Sequence, residues 1–289
     1  MGWSFFAGVA CAFGVILGAS FPALAQGLPQ VQLIEGHGGL RALNSGTEAQ
    51  VWRGVGRLDT GASFCTATLI RENLVLTAAH CVFHPQTARA FDASDLTFLA
   101  GLRNGHAEAV RNVRRIIVLP GYHPEQGPDF DMIGRDLALL ELSMPISMTS
   151  IVPISTARTP WREGRVTVVS YGREREGYAS IEEGCEILQR QDSVRAMNCQ
   201  VVSGASGSPV VRVNQGRAEV VAVISASAQS SEGDISLAVM LEDHLATLMS
   251  QYQASASTPV GVTTLGGTPS FIVNGANARS GIGARFIRP

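Results

Sequence analysis

Three side chains far apart in the chain could make a nucleophile, its base and the group that orients the base. Ser206 lies in Val202-Ser203-Gly204-Ala205-Ser206-Gly207-Ser208-Pro209, a glycine-rich turn that closes on a proline. A loop of Gly, Ser and Pro is also what an ordinary turn looks like, so the serine needs partners before it means anything. A serine hydroxyl is a weak nucleophile until a neighbouring base takes its proton. The chain contains no lysine, and all 22 of its basic residues are arginine. That excludes a Ser-Lys dyad, a Schiff-base enzyme and a Walker-type phosphate loop, and it leaves histidine as the base, since arginine stays protonated.

Of six histidines, His80 is the one at the end of an apolar run, Leu76-Thr77-Ala78-Ala79-His80-Cys81, with a cysteine beside it to fix the backbone. His84, four residues on, makes a metal-binding pair the competing reading. No Glu follows His80 as in H-E-x-x-H and no third ligand is near, so no metal is expected. The base needs a carboxylate on its other nitrogen. Asp136 opens the apolar run Leu137–Leu142, where a carboxylate turned inward would be poorly solvated and would need a partner. Asp129 and Asp131 are alternatives in a loop where acids are ordinary, and a strand-end Asp bonding its own turn is the structural alternative for Asp136. Gly204 and Ser206 offer backbone N–H groups for a developing oxyanion, and Gly207 leaves room for a substrate.

These residues need elements to hold them. From Val51 the chain is a series of short apolar runs: Val55–Leu58, Phe64–Ile70, Leu74–Thr77, Leu96–Leu99, Val113–Leu119, Leu137–Leu142, Val166–Val169, Val210–Val213 and Val220–Ile224. They are rich in Val, Ile, Leu and Thr and separated by turn residues, which predicts an antiparallel all-β sandwich or barrel. A short helix is expected around Ala78–Val82 and a longer one over Leu237–Tyr252, where Leu241, Leu245, Leu248, Met249 and Tyr252 fall at helical spacing. A division near residue 150 would put His80 and Asp136 in one half and Ser206 in the other.

The ends read differently. Residues 1–25 are uncharged, with an apolar run and Ala23-Leu24-Ala25 as a small-x-small cleavage site, and read as a secretory signal peptide. The segment lacks the usual basic residue at its start, and an uncleaved anchor is the rival reading. Residues 26–50 read as an N-terminal arm or pro-segment, and 253–289, rich in Ala, Ser, Thr, Gly and Pro, as a low-complexity tail. Cleavage would remove Cys11 and leave Cys65, Cys81, Cys185 and Cys199. Bridges 65–81 and 185–199 are the simplest of three pairings, each contributing about 3 kcal/mol in the chain-entropy picture; four free thiols is the alternative, less suited to an exported chain. The absence of any C-x-x-C pair argues against zinc. A net charge of −2 leaves no nucleic-acid footprint.

Thr77-Ala78-Ala79-His80-Cys81, Asp136-Leu137-Ala138-Leu139-Leu140 and Gly204-Ala205-Ser206-Gly207-Ser208-Pro209 resemble, in this order, the three motifs of the chymotrypsin/trypsin-like serine peptidases, compact bacterial secreted members above all. Phe64–Ile70 and Tyr171-Gly172 add to the resemblance, which spans about residues 51–252. It implies two six-stranded antiparallel β-barrels, over 51–150 and 151–252, with the site in the cleft between them and a C-terminal helix. It implies His80 as general base, Asp136 as its orienter, Ser206 as nucleophile, and the N–H groups of Gly204 and Ser206 as oxyanion hole. It places Gln200 at the floor of the specificity pocket, gives the Ser225 hydroxyl to Asp136, and pairs Ser225, Ala226 and Ser227 with the substrate backbone. The expected protein is a secreted or periplasmic monomeric serine endopeptidase acting on proteins or peptides without a cofactor, with no stable membrane association once the leader is cleaved.

Several positions depart from the pattern. Ala205 replaces the acidic residue before the nucleophile, which in zymogen-type members pairs with a freed N-terminus; the loop then needs another brace, for which the Cys185–Cys199 bridge is a candidate. Ser208 replaces the second glycine, as in glutamyl-specific relatives, yet Val223–Ser227 lacks their histidine. Gln200 in place of Asp leaves Lys or Arg without a charge partner, so uncharged side chains are the expected preference. A catalytically inactive homologue that binds partners through the same cleft is the alternative. An α/β-hydrolase esterase is disfavoured because His and Asp precede Ser.

Overall fold

The structure, a computed structural model, describes Met1 and residues 39–43, 45–230, 233–255 and 285–287. The expected leader falls, apart from Met1, outside the described residues. The first half contains β1 (Leu40–Ala42), α1 (Gly46–Gln50), β2 (Val55–Asp59), β3 (Phe64–Arg71), β4 (Leu74–Thr77), a 3-10 turn at Ala79–Val82, β5 (Thr97–Ala100), β6 (Ala109–Val118), α2 (Phe130–Ile133) and β7 (Ala138–Leu142). The second half contains β8 (Ser155–Thr156), β9 (Val166–Ser170), β10 (Ser180–Cys185), β11 (Ile187–Gln191), β12 (Val194–Met197), β13 (Pro209–Asn214), β14 (Arg217–Ser230), β15 (Gly233–Met240), α3 (Leu245–Ser255) and β16 (Arg285–Ile287).

Every apolar run singled out from the sequence overlaps a strand. β2–β3–β4–β7–β6–β5 close into a six-stranded antiparallel barrel. Leu58, Leu69, Leu74, Leu76, Phe98 and Leu139 are fully buried, each contributing about 1.5–3 kcal/mol of transfer free energy. The second sheet runs β1–β10–β9–β13–β14–β15–β12–β11, with β8 and β16 also on β14. Its six central strands are those expected to form the second barrel, and among the described residues β10 and β12 share no ladder. That seam is held by the Cys185–Cys199 bond (Cα–Cα 5.3 Å) and by Glu186 N–H donating to Asn198 Oδ1 at 2.7 Å.

Three expectations change at the margins. The arm is not all loop: β1 pairs with β10, Leu40 opposite Glu182, and Arg41 donates to Glu183 at 2.8 Å. The helix expected over 237–252 is shorter and later, because Leu237–Met240 belong to β15. All of Ile235–Met240 is buried, so the strand loses its two-residue alternation and its leucine joins the helical pattern by coincidence. The tail also contributes structure, since α3 runs to Ser255 and β16 adds to β14.

Helix α3 returns the chain to the first barrel. Buried Glu141 on β7 accepts from Tyr252 Oη at 3.1 Å and pairs with Arg114 and with Arg115 (3.2 Å), and Arg115 donates to Ser255 Oγ at 3.0 Å.

Candidate active site

His80 and Asp136 meet because of strand pairing. The antiparallel β4–β7 ladder ends with Thr77 opposite Ala138, so the residues just past β4 and just before β7 emerge side by side. His80 sits in the 3-10 turn that follows, its neighbour Cys81 bonded to Cys65 on β3 (Cα–Cα 6.1 Å). Asp136 is 3 % exposed and accepts three hydrogen bonds. His80 N–H donates to Oδ1 at 2.7 Å, His80 Nδ1 donates to Oδ2 at 2.7 Å, and Ser225 Oγ donates to Oδ2 at 2.5 Å. Three donors supply the hydrogen bonds that a buried carboxylate needs in place of water. Its partner fixes the imidazole as the Nδ1–H tautomer, an assignment that follows from the bond, and leaves the Nε2 lone pair to accept a proton.

The competing residues have other duties. Asp129 caps α2, accepting from Met132 N–H at 2.8 Å, and Asp131 lies near Arg135 on the surface at 3.9 Å. The His84 ring packs against Phe91 at 5.7 Å between centroids. Clusters that combine sulfur with His80 or Glu182 are built on cysteines in disulfides, which present no thiolate to a metal.

Ser206 is 3 % exposed and lies at the mouth of the β13–β14 ladder. Its loop is bound to the first barrel through Thr66. Thr66 N–H donates to Ser206 O at 2.8 Å, Thr66 Oγ1 donates to Gly204 O and accepts from Tyr171 N–H, both at 2.9 Å, and Thr77 Oγ1 donates to Thr66 O at 2.9 Å. Arg173 N–H donates to Ser203 O at 2.7 Å from the other side. Gly204 and Gly207 have φ of +94° and +81°, the left-handed region open to glycine. With that geometry Ala205 N–H closes a turn on Val202 O and Gly207 N–H bonds Ile224 O, while Gly204 N–H and Ser206 N–H make no hydrogen bond among the described residues. Two unpaired N–H groups beside a serine suit a developing oxyanion. No Ser206–His80 hydrogen bond forms among the described residues; such bonds are often long without substrate and tighten with it.

Thr66, which carried no signal of its own in the sequence, is thus the brace that Ala205 leaves missing. The Cys185–Cys199 bridge lies further back, at the β10–β12 seam. Replacing Thr66 with Val keeps the shape but strands a buried Tyr171 N–H and a Gly204 carbonyl. The expected cost is about 2–4 kcal/mol in stability, with kcat reduced and Thr66→Ser retaining most of both. Denaturant unfolding and steady-state kinetics on the two variants check this.

The specificity residues are placed unevenly. Ser225 and Ala226 adjoin His80, in a shallow hollow also lined by Tyr122, Pro128, Met132 and Ile133. Gln200 is exposed, and its backbone N–H donates to Glu182 Oε2 at 2.7 Å. Glu182 is fully buried on β10, a carboxylate behind the expected pocket floor that sequence reasoning missed. Arg175, 8 % exposed, donates to Ser170 O at 2.7 Å and Ser170 Oγ at 3.1 Å. Burial holds its guanidinium below the usual arginine range, partly offset by Tyr178 and Glu182. Burial likewise pushes up the Tyr171 hydroxyl, which donates to Leu102 O at 3.0 Å.

Comparison with known proteins identifies the family and the fold. The profile of the family described as Trypsin matches residues 44–242. Chymotrypsin-like elastase family member 1 of Homo sapiens is 37% identical over 90 residues, 31% of this chain and 32% of that one. Mannan-binding lectin serine protease 1 of Rattus norvegicus is 30% identical over 123 residues, 38% and 17% of the two chains. A trypsin-like protease of Streptomyces glaucescens is 29% identical over 115 residues, 39% and 37%. The chain thus spans well under half the length of these relatives. Among solved structures, a Glu endopeptidase in complex with MPD superposes with a TM-score of 0.62 at 18% identity, over 75% of this chain and 97% of that one, a likeness of fold. Since the Trypsin profile covers more than half of the residues and takes in the closed barrel and most of the second sheet, the chain belongs to the trypsin family.

Proposed function

We propose that this chain is a secreted serine endopeptidase. The observation that carries the reading is the His80 imidazole, fixed through Nδ1 by a buried Asp136 that also holds the His80 backbone and the Ser225 hydroxyl. In the proposed reaction Ser206 Oγ attacks the peptide carbonyl and gives its proton to His80 Nε2. The carbonyl oxygen takes negative charge and is received by the N–H groups of Gly204 and Ser206. The intermediate collapses by breaking the C–N bond, and His80 returns the proton to the departing amine. Water repeats the sequence on the acyl-enzyme and restores Ser206. The two disulfides fit an oxidising compartment outside the cytoplasm.

Digestion of a peptide library by the mature protein, with Ser206→Ala as control, tests the activity. Cleavage that persists in Ser206→Ala, or none in either, contradicts it. The same digest reads the preference at the residue before the cut. Glu182 is engaged with the Gln200 backbone, so uncharged residues are expected there, and a dominant Lys or Arg preference would contradict this.

Ala205 removes the carboxylate that a new N-terminus would pair with, and Thr66 and Arg173 hold the loop instead. Extra residues at the N-terminus are therefore expected to change kcat/KM by less than about twofold, an effect under ~0.5 kcal/mol. Activity that arises only at one defined N-terminus would contradict this. A binding module is the second reading, favoured by the lack of a Ser206–His80 hydrogen bond among the described residues.

A further inference from the structure

One edge of the proposed substrate cleft has an occupant from this chain. β13 covers its side of β14 only as far as Pro209 opposite Val223, because the chain before Pro209 belongs to the Ser206 loop. On its other side β14 pairs with β15 out to Ser230. From Ser225 onward β13 therefore no longer pairs with β14 among the described residues, which leaves that side to another strand. β16 takes that edge. It pairs antiparallel, with Arg285 opposite Gln229, Phe286 opposite Ala228 and Ile287 opposite Ser227. As the second strand on a stretch already bound by β15, it has only the β13 side to occupy. It runs toward Ser225, whose hydroxyl bonds Asp136.

We infer that Arg285–Ile287 is an intramolecular competitor of peptide substrates, bound by strand addition to the edge that a substrate backbone would use. The inference rests on the reading of Ser225–Ser227 as the peptide-binding edge. Twenty-nine residues separate Ser255 from Arg285, a tether that reaches up to about 95–100 Å when extended, so the segment can dock on its own chain. Strand addition draws its affinity from main-chain hydrogen bonds. A tethered strand presents itself at an effective concentration on the order of millimolar or below, and it competes about tenfold when its own dissociation constant lies about tenfold below that concentration. Peptide substrates then meet a raised apparent KM, and displacing the tail removes it.

The test uses the full chain with Phe286→Pro and Ile287→Pro combined. In an antiparallel ladder alternate residues face a given neighbour, so one of two adjacent prolines must delete a bond to β14. In a Ser206→Ala background, which prevents self-cleavage, amide hydrogen exchange across Ser225–Gln229 is expected to quicken about tenfold or more with the prolines. With Ser206 intact, the same prolines are expected to lower the apparent KM for a tetrapeptide amide about tenfold at unchanged kcat. Unchanged exchange overturns the inference even if peptides are cleaved. Quickened exchange in a protein that cleaves nothing supports the docking and overturns the peptidase reading instead. Protection that rises with protein concentration would mean a second copy's tail and would overturn the intramolecular form.

Discussion

Replacing Asp136 with Asn is expected to lower kcat by about 10⁴-fold at neutral pH while leaving the fold in place. The carboxylate accepts from His80 Nδ1 at 2.7 Å and from Ser225 Oγ at 2.5 Å. An amide offers N–H where that oxygen was, so Nδ1 must accept, and the imidazole proton moves to Nε2. The nitrogen meant to take the Ser206 proton then already carries one. Asn keeps an oxygen for the His80 backbone N–H, and the Ser225 hydroxyl can accept as well as donate, so the stability loss is expected to stay at about 1–2 kcal/mol. Steady-state kinetics beside urea unfolding separate the two quantities. A fall in rate that only tracks a loss of folded protein would show that Asp136 is structural.

Gly207→Ala is expected to be the most damaging single-methyl change in the loop. A Cβ at position 207 would lie 2.1 Å from Thr66 O and 2.2 Å from Thr77 Oγ1, with 3.2 Å to Ala78 N. None of these can yield cheaply, because Thr66 O and Thr77 Oγ1 are bonded to each other and Ala78 leads into the His80 turn. The backbone is also left-handed at φ +81°, which costs a residue with a side chain about 1–2 kcal/mol. Overpacking adds about 1–3 kcal/mol. The loop must therefore move away from Thr66 and Thr77, taking the Ser206 hydroxyl and N–H out of line. A midpoint shift of a few kcal/mol with nearly complete loss of turnover is the expected result, read by denaturant unfolding and peptide hydrolysis. A fully active, equally stable Gly207→Ala protein would mean that the loop is not held as described.

The parts of the site that were legible in the sequence are those where chemistry interrupts an apolar pattern. His80 and Asp136 stand at the ends of buried runs, and strand ends are where a ladder delivers side chains to a cleft. Ser206 is marked in the sequence by its glycines, though Gly207, expected to leave room for a substrate, instead packs against Thr66 and Thr77, and both Gly204 and Gly207 take positive φ. What was hidden lies where burial and polarity disagree. β10, Ser180–Cys185, is buried throughout yet carries Glu182 and Glu183, so no hydrophobic pattern marked it, and the carboxylate behind Gln200 went with it. Thr66 reads as one threonine in a strand of several; its importance comes from its place opposite a loop 140 residues later in the chain. Leu237–Met240, the second half of β15, reads as the start of a helix because the burial of all of Ile235–Met240 removes the alternation. β1 and β16 are three residues each, too short to leave a period, and they form only because β10 and β14 present edges to them.

If Ser206 is a nucleophile activated by His80, a fluorophosphonate probe must modify it. The folded, oxidised protein is treated with the probe, as the full chain and with Phe286→Pro and Ile287→Pro to release the tail, and the modified residue is located by peptide mapping. One modification per chain is expected, on Ser206, lost in His80→Ala. An unlabelled Ser206 in both forms, or labelling that survives His80→Ala at the same rate, would contradict it.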